Sequence, residues 1–217
     1  MQLTLLADPV QAMANDHITT WFDLLLKGGI IMIPIFLLSL IAVYVFVERY
    51  SYLKKATVIN RGVIDSIIED VNKGHTDKAI SQALNIESSI GRIMESGLSK
   101  IGKPVQEVES FMESTTNLEI TKMEKDTGYL GIIAGIAPML GFVGTISGVI
   151  KIFYNISLAD NISIGIIAGG LYQKMICSGA GLIVGVIAYS AYHYLQMKID
   201  RYTIDLQENL IRFLKVL

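Results

Sequence analysis

The sequence predicts an all-α integral membrane protein with three transmembrane helices. Hydrophobic residues make up 52% of the 217 residues and charged residues only 18%, which is more apolar than an ordinary soluble domain. Three apolar runs are long enough to cross a bilayer, which needs about 20 residues per helix. The polar segments repeat apolar residues at helical spacing. We therefore expect long second and third helices that extend into a cytoplasmic helical bundle.

The first elements are an N-terminal arm and one span. Residues 1–27 fit either an amphipathic helix at the membrane interface, with Trp21 at headgroup depth, or a partly ordered extracytoplasmic arm. Residues 28–47 contain twenty positions without a charge and are predicted as transmembrane helix 1. Glu48 and Arg49 end this span.

Residues 48–127 are polar and are predicted as a cytoplasmic helical region. Gly97, Gly102 and Pro104 indicate a break, after which a long helix begins near Val105. The acidic residues of this helix are interpreted as its solvated face: Glu107, Glu109, Glu113, Glu119 and Glu124. The helix is expected to continue directly into the membrane.

Two further spans follow. Residues 128–154 are predicted as transmembrane helix 2, residues 155–163 as a short periplasmic connection, and residues 164–195 as transmembrane helix 3. At 1.5 Å per residue, the third run exceeds the ~30 Å hydrocarbon core, so it should tilt or project beyond the bilayer. Residues 196–217 repeat apolar residues at helical spacing and are predicted as a cytoplasmic C-terminal helix.

Lysine and arginine are unevenly distributed along the chain. Residues 48–127 carry eleven and the segment after Leu195 carries four, whereas the N-terminal arm has one and the second connection has none. Basic residues concentrate in cytoplasmic loops. The expected topology is therefore multi-pass, with the N-terminus outside and the C-terminus inside.

Residues 137–148 concentrate glycine around one threonine, in the sequence APMLGFVGTISG. Interior glycine costs roughly 1 kcal/mol in a soluble helix, whereas small residues let membrane helices approach closely. Helix packing is predicted for Gly141, Gly144, Gly148, Gly181 and Gly185. The candidates for lining a pore or proton pathway are the polar residues of the spans: Thr145, Ser178, Gln173 and Lys174.

Several of these polar residues also have a structural interpretation. The Thr145 and Ser178 hydroxyls can bond to their own helix backbone. Lys174 either faces protein or water, since a lysine at the membrane centre costs about 2.5–3.5 kcal/mol, or snorkels to the outer interface. The only acidic residue between positions 128 and 195 is Asp160, in the outer connection. A proton pathway would therefore need a titrating carboxylate from another chain.

Three stretches resemble the ExbB/TolQ/MotA proton-channel family, and its ExbB branch in particular. They are APMLGFVGTISGVIKIF in the second span, IAGGLYQKMICSGAGLIVGVIAY in the third and GGIIMIPIFLLSLIAVYVFVERY in the first. The resemblance implies a homopentamer in the bacterial inner (cytoplasmic) membrane. It also implies a pore lined by the second and third helices, which encloses an ExbD-like single-span protein bearing an aspartate. The complex would use the proton gradient to energise a TonB-like protein.

The resemblance also assigns roles to individual residues. Thr145 matches the pore threonine of the second helix, and Ser178 falls where members often have a threonine. Gln173 falls where some members have a glutamate. A glutamine can orient a proton-carrying group but cannot exchange a proton at neutral pH, so a mechanism that needs the glutamate is in doubt here.

Other functions stay open at this point. Within the same architecture they are a TolQ-like envelope-integrity subunit and a motility stator; outside it, a non-conducting membrane scaffold. An enzyme is disfavoured because the sequence has no nucleophile–base pair, phosphate-cradling loop or His/Cys/Asp cluster. The single cysteine, Cys177, excludes an internal disulfide and a multi-cysteine metal site. No cofactor or nucleic-acid partner is expected.

Overall fold

The computed structural model of the chain describes residues 29–158 and 164–217, except for the side chains of Ile166 and Gln173. The predicted N-terminal arm, Trp21 and most of the predicted periplasmic connection lie outside these residues. The described part contains helices and turns and no strand, so the all-α prediction is confirmed for it. The helices are α1 (Met32–Ala56), α2 (Arg61–Asn72), α3 (Thr76–Leu84), α4 (Ser89–Leu98), α5 (Val105–Glu124), α6 (Gly128–Ser157) and α7 (Ile164–Leu214).

Within the described part of the chain, three stretches of helix are long and apolar enough to cross a membrane. They lie within Met32–Ala56, Val105–Ser157 and Ile167–Leu214. Large apolar side chains are exposed along them, as expected of surfaces that meet lipid or a partner helix. The number of candidate spans therefore agrees with the three apolar runs of the sequence.

The chain divides into two compact units. The first contains the described residues up to Ser39 together with those of Ala134–Val186, and the second contains Leu40–Ile133 and Ile187–Leu217. In the first unit, α1, α6 and α7 share a core built on Met32, Ile35 and Cys177. In the second unit, α3 packs against α2 and α4, and α4 packs against α5.

The second unit differs from the sequence prediction at Glu119. The sequence predicts that this residue lies on the solvated face of α5, and that prediction is wrong, because Glu119 is 1% exposed. The buried positions of α5 are Val108, Met112, Thr116, Glu119 and Met123, which follow one another at steps of three or four residues. Glu119 therefore belongs to the stripe that faces the core.

Two further expectations need correction. One concerns the position of Gly97, and the other concerns the passage of the long helix into the membrane. Gly97 lies inside α4, not in a break, and its Cα faces Met112: an added Cβ would meet the Met112 sulfur at 2.4 Å. The long helix does not enter the membrane without interruption, because residues 125–127 form a turn between α5 and α6. Asp126 in that turn adopts the left-handed conformation, with φ of 63°. By contrast, α7 is continuous from Ile164 to Leu214, across the predicted boundary at residues 195 and 196.

Candidate functional site

Helices α6 and α7 approach each other closely at two glycines of α7. A Cβ added to Gly181 would lie 2.5 Å from the Ala137 carbonyl oxygen, and one added to Gly185 would lie 2.5 Å from the Pro138 ring. Neither distance is possible for real atoms, so a side chain at either position would push the helices apart. Close backbone approach of this kind is what small residues allow in membrane helices.

The facing glycines of α6 make the same contact from the other side. A Cβ on Gly141 would lie 3.0 Å from the Ser178 Cα, and one on Gly144 would lie 2.9 Å from the Cys177 sulfur. Position 141 opposes 178 while 137 opposes 181, so the two helices run antiparallel. Gly141, Gly144 and Gly181 are all buried within the chain.

Thr145 is half-buried one turn beyond Gly141. Its hydroxyl donates a 2.9 Å hydrogen bond to the Gly141 carbonyl oxygen. A hydroxyl has one proton and two lone pairs, so this bond uses the donor and leaves acceptor capacity on the threonine oxygen. Thr145 in this state can receive a hydrogen bond but has none to give.

Ser178 meets the same residue of α6 from the other helix. Gly141 faces the Cα of Ser178 and also its carbonyl oxygen, which would lie 3.1 Å from an added Cβ. The Gly141 carbonyl oxygen thus accepts the hydrogen bond of the Thr145 hydroxyl, and the Gly141 Cα packs against the Ser178 backbone. The structure brings these two sequence-predicted hydroxyl residues to one glycine.

Lys174 lies across Gly148. The Lys174 side-chain carbons Cγ, Cδ and Cε would each lie 2.2 Å from a Cβ at that glycine, and Lys174 is half-buried. Its Nζ lies 3.9 Å from the position of a Cβ on Gly29, which precedes α1. Gly148 therefore accommodates the lysine stem, and the ammonium group ends beside Gly29, the second residue of the first apolar run.

For Gln173, the structure describes only the backbone. Its residue belongs to α7, one position before Lys174, and its side chain lies outside the described part of the structure. Asp160, the single acidic residue between positions 128 and 195, also lies outside it. Among the described residues, no group of three or more His, Cys, Asp or Glu side chains could hold a metal ion.

A buried ion network in the second unit was not predicted from the sequence. The Glu119 carboxylate accepts hydrogen bonds from Arg92 of α4 and, at 2.8 Å, from Lys122 of its own helix. Burial raises the pKa of Glu119, but the hydrogen bonds from Arg92, Lys122 and Ser89 outweigh it and lower the pKa to about 2. The signal in the sequence was the helical spacing of Glu119 with Met112 and Met123.

A second ionic contact joins α1 to the turn between α5 and α6. The Arg49 guanidinium is buried and donates to Asp126 Oδ2 at 3.3 Å and to the Lys122 carbonyl oxygen at 3.5 Å. Glu48, its neighbour, supplies a further carboxylate to the same guanidinium. The end of α1 is thus tied to the residue that interrupts the long helix.

The comparisons with known proteins cover most of these residues. The model of the MotA/TolQ/ExbB proton channel family matches residues 85–208, which is more than half of the chain. The chain belongs to the MotA/TolQ/ExbB proton channel family. The match contains Thr145, Gln173, Lys174, Ser178 and the five packing glycines, and it also contains the Arg92–Glu119 pair. This is a family of proton channels and transport-associated membrane proteins, not one of catalytic enzymes.

Individual relatives agree with the family. A putative biopolymer transport protein ExbB homolog of Methanothermobacter thermautotrophicus is 30% identical to this chain. The alignment covers 83% of this chain and 64% of that relative, so the chain spans less than two thirds of the relative's length. A putative biopolymer transport protein ExbB-like 1 of Synechocystis is 29% identical over 80% of this chain and 69% of its own. The Tol-Pal system protein TolQ of Haemophilus influenzae is 27% identical over 41% of this chain and 39% of its own.

Proposed function

We propose that this chain is the channel-forming subunit of an inner-membrane motor that uses the proton motive force to drive work at the outer membrane. In this proposal an ExbD-like partner carries the titrating aspartate and a TonB-like protein receives the work. The observation that carries the proposal is the convergence of Thr145 and Ser178 on Gly141, between two predicted spans, 128–154 and 164–195, that contain no acidic residue. A proton pathway through such a pair needs a carboxylate from outside.

The proposed topology follows from the basic residues. Fifteen of the eighteen Lys and Arg residues lie in residues 48–127 or after Leu195. These segments are therefore assigned to the cytoplasm, with the N-terminus and the connection after α6 outside. The first span would then run inward from Gly29, the second outward along α6, and the third inward along α7.

The proposed assembly is a homopentamer around the partner's single-span helices. The exposed apolar side chains along α6 and α7 provide the surface that neighbouring copies, partner helices and lipid would share. The family resemblance implies the pentamer and the enclosed partner. Five copies would repeat the Thr145 and Ser178 hydroxyls as a ring around the partner's carboxyl group.

The hydrogen bond of Thr145 suggests how this ring would distinguish two protonation states. With its proton committed to the Gly141 carbonyl oxygen, the Thr145 oxygen accepts from a protonated carboxylic acid. A charged carboxylate needs a donor instead, so the threonine hydroxyl would have to leave the Gly141 carbonyl. That exchange is on the order of 1 kcal/mol, the net value of one hydrogen bond.

The proton gradient supplies enough free energy to drive such an exchange. One proton crossing at 100 mV provides about 2.3 kcal/mol. Protonation would seat the partner's carboxyl on the threonine ring, and deprotonation on the cytoplasmic side would release it and let the partner helix advance. Movement is biased in one direction because the gradient makes the partner's carboxyl group take up its proton from one side of the membrane and lose it to the other.

The other two polar residues have accessory roles in this proposal. Gln173 lies five residues, about one and a half turns, outward of Ser178 on α7 and would orient the partner's carboxyl group without carrying a proton. Lys174, whose ammonium ends near Gly29, would stand at the outer mouth of the pathway instead of at its centre. A positive charge there disfavours entry of hydrated metal cations.

A TolQ-like role in envelope integrity is the second candidate, because a Tol-Pal system protein TolQ is among the relatives. It shares the proposed chemistry and differs only in the protein that is driven. A non-conducting scaffold shares the glycine packing but not the proton flux. A measurement of proton flux therefore distinguishes the two motor hypotheses from the scaffold hypothesis. The identity of the co-purified partner distinguishes the two motor hypotheses from each other.

The test uses the complex purified from its own membrane and reconstituted in liposomes with a pH-sensitive dye inside. Thr145→Val keeps the shape and removes the hydroxyl, and we expect it to slow proton uptake about tenfold, whereas Thr145→Ser should retain uptake. Ser39→Ala is the matched control, because the Ser39 hydroxyl also bonds its own helix, at the Phe36 carbonyl oxygen, but in α1. Unchanged uptake in a Thr145→Val complex that assembles normally would refute the role of the ring.

A further inference from the structure

Three aromatic rings from α1 and α7 form a cluster in the second unit. The Phe46 and Tyr50 rings of α1 have centroids 6.0 Å apart, and the Tyr194 ring of α7 lies 6.4 Å from the first and 6.3 Å from the second. Such separations are typical of interacting aromatic pairs. Tyr50 and Tyr194 are exposed and Phe46 is half-buried, so this aromatic cluster presents a surface to the surroundings of the chain. The proposed proton pathway uses none of the three residues.

Two lysines add positive charge to the aromatic cluster. The Lys198 ammonium lies over the Tyr50 ring, with Nζ 4.7 Å from the ring centroid. Lys54 is exposed and follows Tyr50 by four residues, a spacing that places two side chains on one face of a helix. Neither lysine belongs to any ion pair of the described residues. The surface therefore combines rings with two cations that have no carboxylate partner in the described part of the chain.

The acidic residues close in sequence do not oppose this charge. Glu48 binds the guanidinium of its neighbour Arg49. Asp200 follows Lys198 by two residues, and side chains at that spacing do not face each other on a helix. Asp205 shares the face of Lys198 but lies seven residues further, which is about 10 Å along the helix. An anion at the two lysines would therefore meet attraction without an adjacent negative charge.

The aromatic cluster lies where two predicted spans end. Phe46 and Tyr194 are each the next-to-last residue of a predicted span. Lys198 lies three residues and Lys54 seven residues beyond the ends of these spans, which at 1.5 Å per residue is about 4 and 10 Å. The headgroup layer extends roughly 5–8 Å from the hydrocarbon core, and a lysine side chain is long enough to reach back into it. Both helices thus place the cluster and its cations at headgroup depth.

We propose that this surface binds an anionic phospholipid of the surrounding bilayer, with the lipid phosphate on Lys198 and Lys54 and the acyl chains beside Phe46. The two unpaired cations select a headgroup with net negative charge over a zwitterionic one, whose ammonium group they would repel. Exposed Val43 and Val47 of α1 supply further apolar surface for the chains. With the topology proposed above, the lipid belongs to the cytoplasmic leaflet.

The experiment uses the full-length protein in nanodiscs that contain equal amounts of phosphatidylglycerol and phosphatidylcholine with identical acyl chains. Native mass spectrometry counts the lipids that stay bound, and we expect phosphatidylglycerol to be enriched. Lys198→Gln and Lys54→Gln should each weaken its binding about fivefold, equivalent to about 1 kcal/mol per lysine. Tyr50→Leu removes the ring under the Lys198 ammonium and should also weaken binding, whereas Tyr50→Phe keeps a ring and should retain it.

Lys125→Gln is the matched control for charge. Lys125 is an exposed lysine three residues before α6, beside the inner end of the second predicted span, and it is not part of the aromatic cluster. A thermal melt of each variant without added lipid checks that the fold is kept. Equal retention of the two lipids, or the same loss in Lys125→Gln as in Lys198→Gln, would overturn the proposal. The measurement involves neither a partner protein nor proton flux, so its failure is distinct from a failure of the proposed motor function.

Discussion

Two glycines of α7 should respond to alanine with opposite signs. At Gly181 an added Cβ would lie 2.5 Å from the Ala137 carbonyl oxygen and 3.2 Å from the Gly141 Cα. Ordinary contact begins near 3.4 Å, so α6 and α7 would have to separate by about 0.9 Å. Both contacting atoms belong to backbone, which cannot rotate away. Overpacking of this kind costs about 1–3 kcal/mol, more than the roughly 1 kcal/mol that alanine gains over glycine in a helix.

Gly179 is the matched control on the same helix. An added Cβ there would meet nothing within 4 Å in the chain, so Gly179→Ala should keep the full helix-propensity gain. The assay is unfolding of the purified chain in mixed micelles, followed by circular dichroism as denaturing detergent is added. We expect Gly181→Ala to lower the free energy of unfolding and Gly179→Ala to leave it unchanged or raise it. Equal effects of the two substitutions would refute the packing argument.

Three further predictions concern other contacts. Gly148→Ala should destabilise less than Gly181→Ala in the same unfolding assay, because the Lys174 stem can move, and adding Lys174→Ala should remove most of the cost. Burial raises and hydrogen bonds lower the pKa of Glu119, to a net value of about 2 from 4.5. Its stabilising contribution, on the order of 3 kcal/mol, is therefore present above pH 4.5 and lost as the pH falls toward 2; Glu119→Gln should flatten that slope in unfolding titrations. Asp126→Val should cost about 1–3 kcal/mol more than Asp126→Asn in thermal melts, since a β-branched residue resists a φ of 63° and both variants lose the Arg49 ion pair.

The apolar helices were predictable because a bilayer restricts them to a few sequence patterns. A charge-free run of twenty residues predicts a span by itself, and the span prediction for residues 28–47 overlaps α1. The start of α5 at Val105 was also predictable, since Pro104 precedes it. The continuation of α7 beyond the third apolar run was expected from the helical spacing of its last residues.

Three features were not predicted from the sequence, because each depends on a contact with a residue far away in the chain. The turn after α5 was not predicted, because the long helix was expected to continue into the membrane; Asp126 takes the left-handed conformation in that turn, and α6 begins at Gly128. The Asp126 carboxylate is held by Arg49, 77 residues earlier. Glu119 was assigned to solvent because glutamates surround it on α5, whereas Arg92, 27 residues earlier, compensates its burial. The packing of the Lys174 side chain against Gly148 likewise joins two helices, and no local sequence pattern predicts it.

The central claim is that the glycine-rich helix pair surrounds a carboxylate supplied by another chain. The most direct measurement is native mass spectrometry of the complex extracted gently from its own membrane. The proposal predicts five copies of this chain together with one or two copies of a small single-span protein whose membrane segment contains an aspartate. A homo-oligomer that never retains such a partner would leave the Thr145 ring without a titrating group and would contradict the motor function.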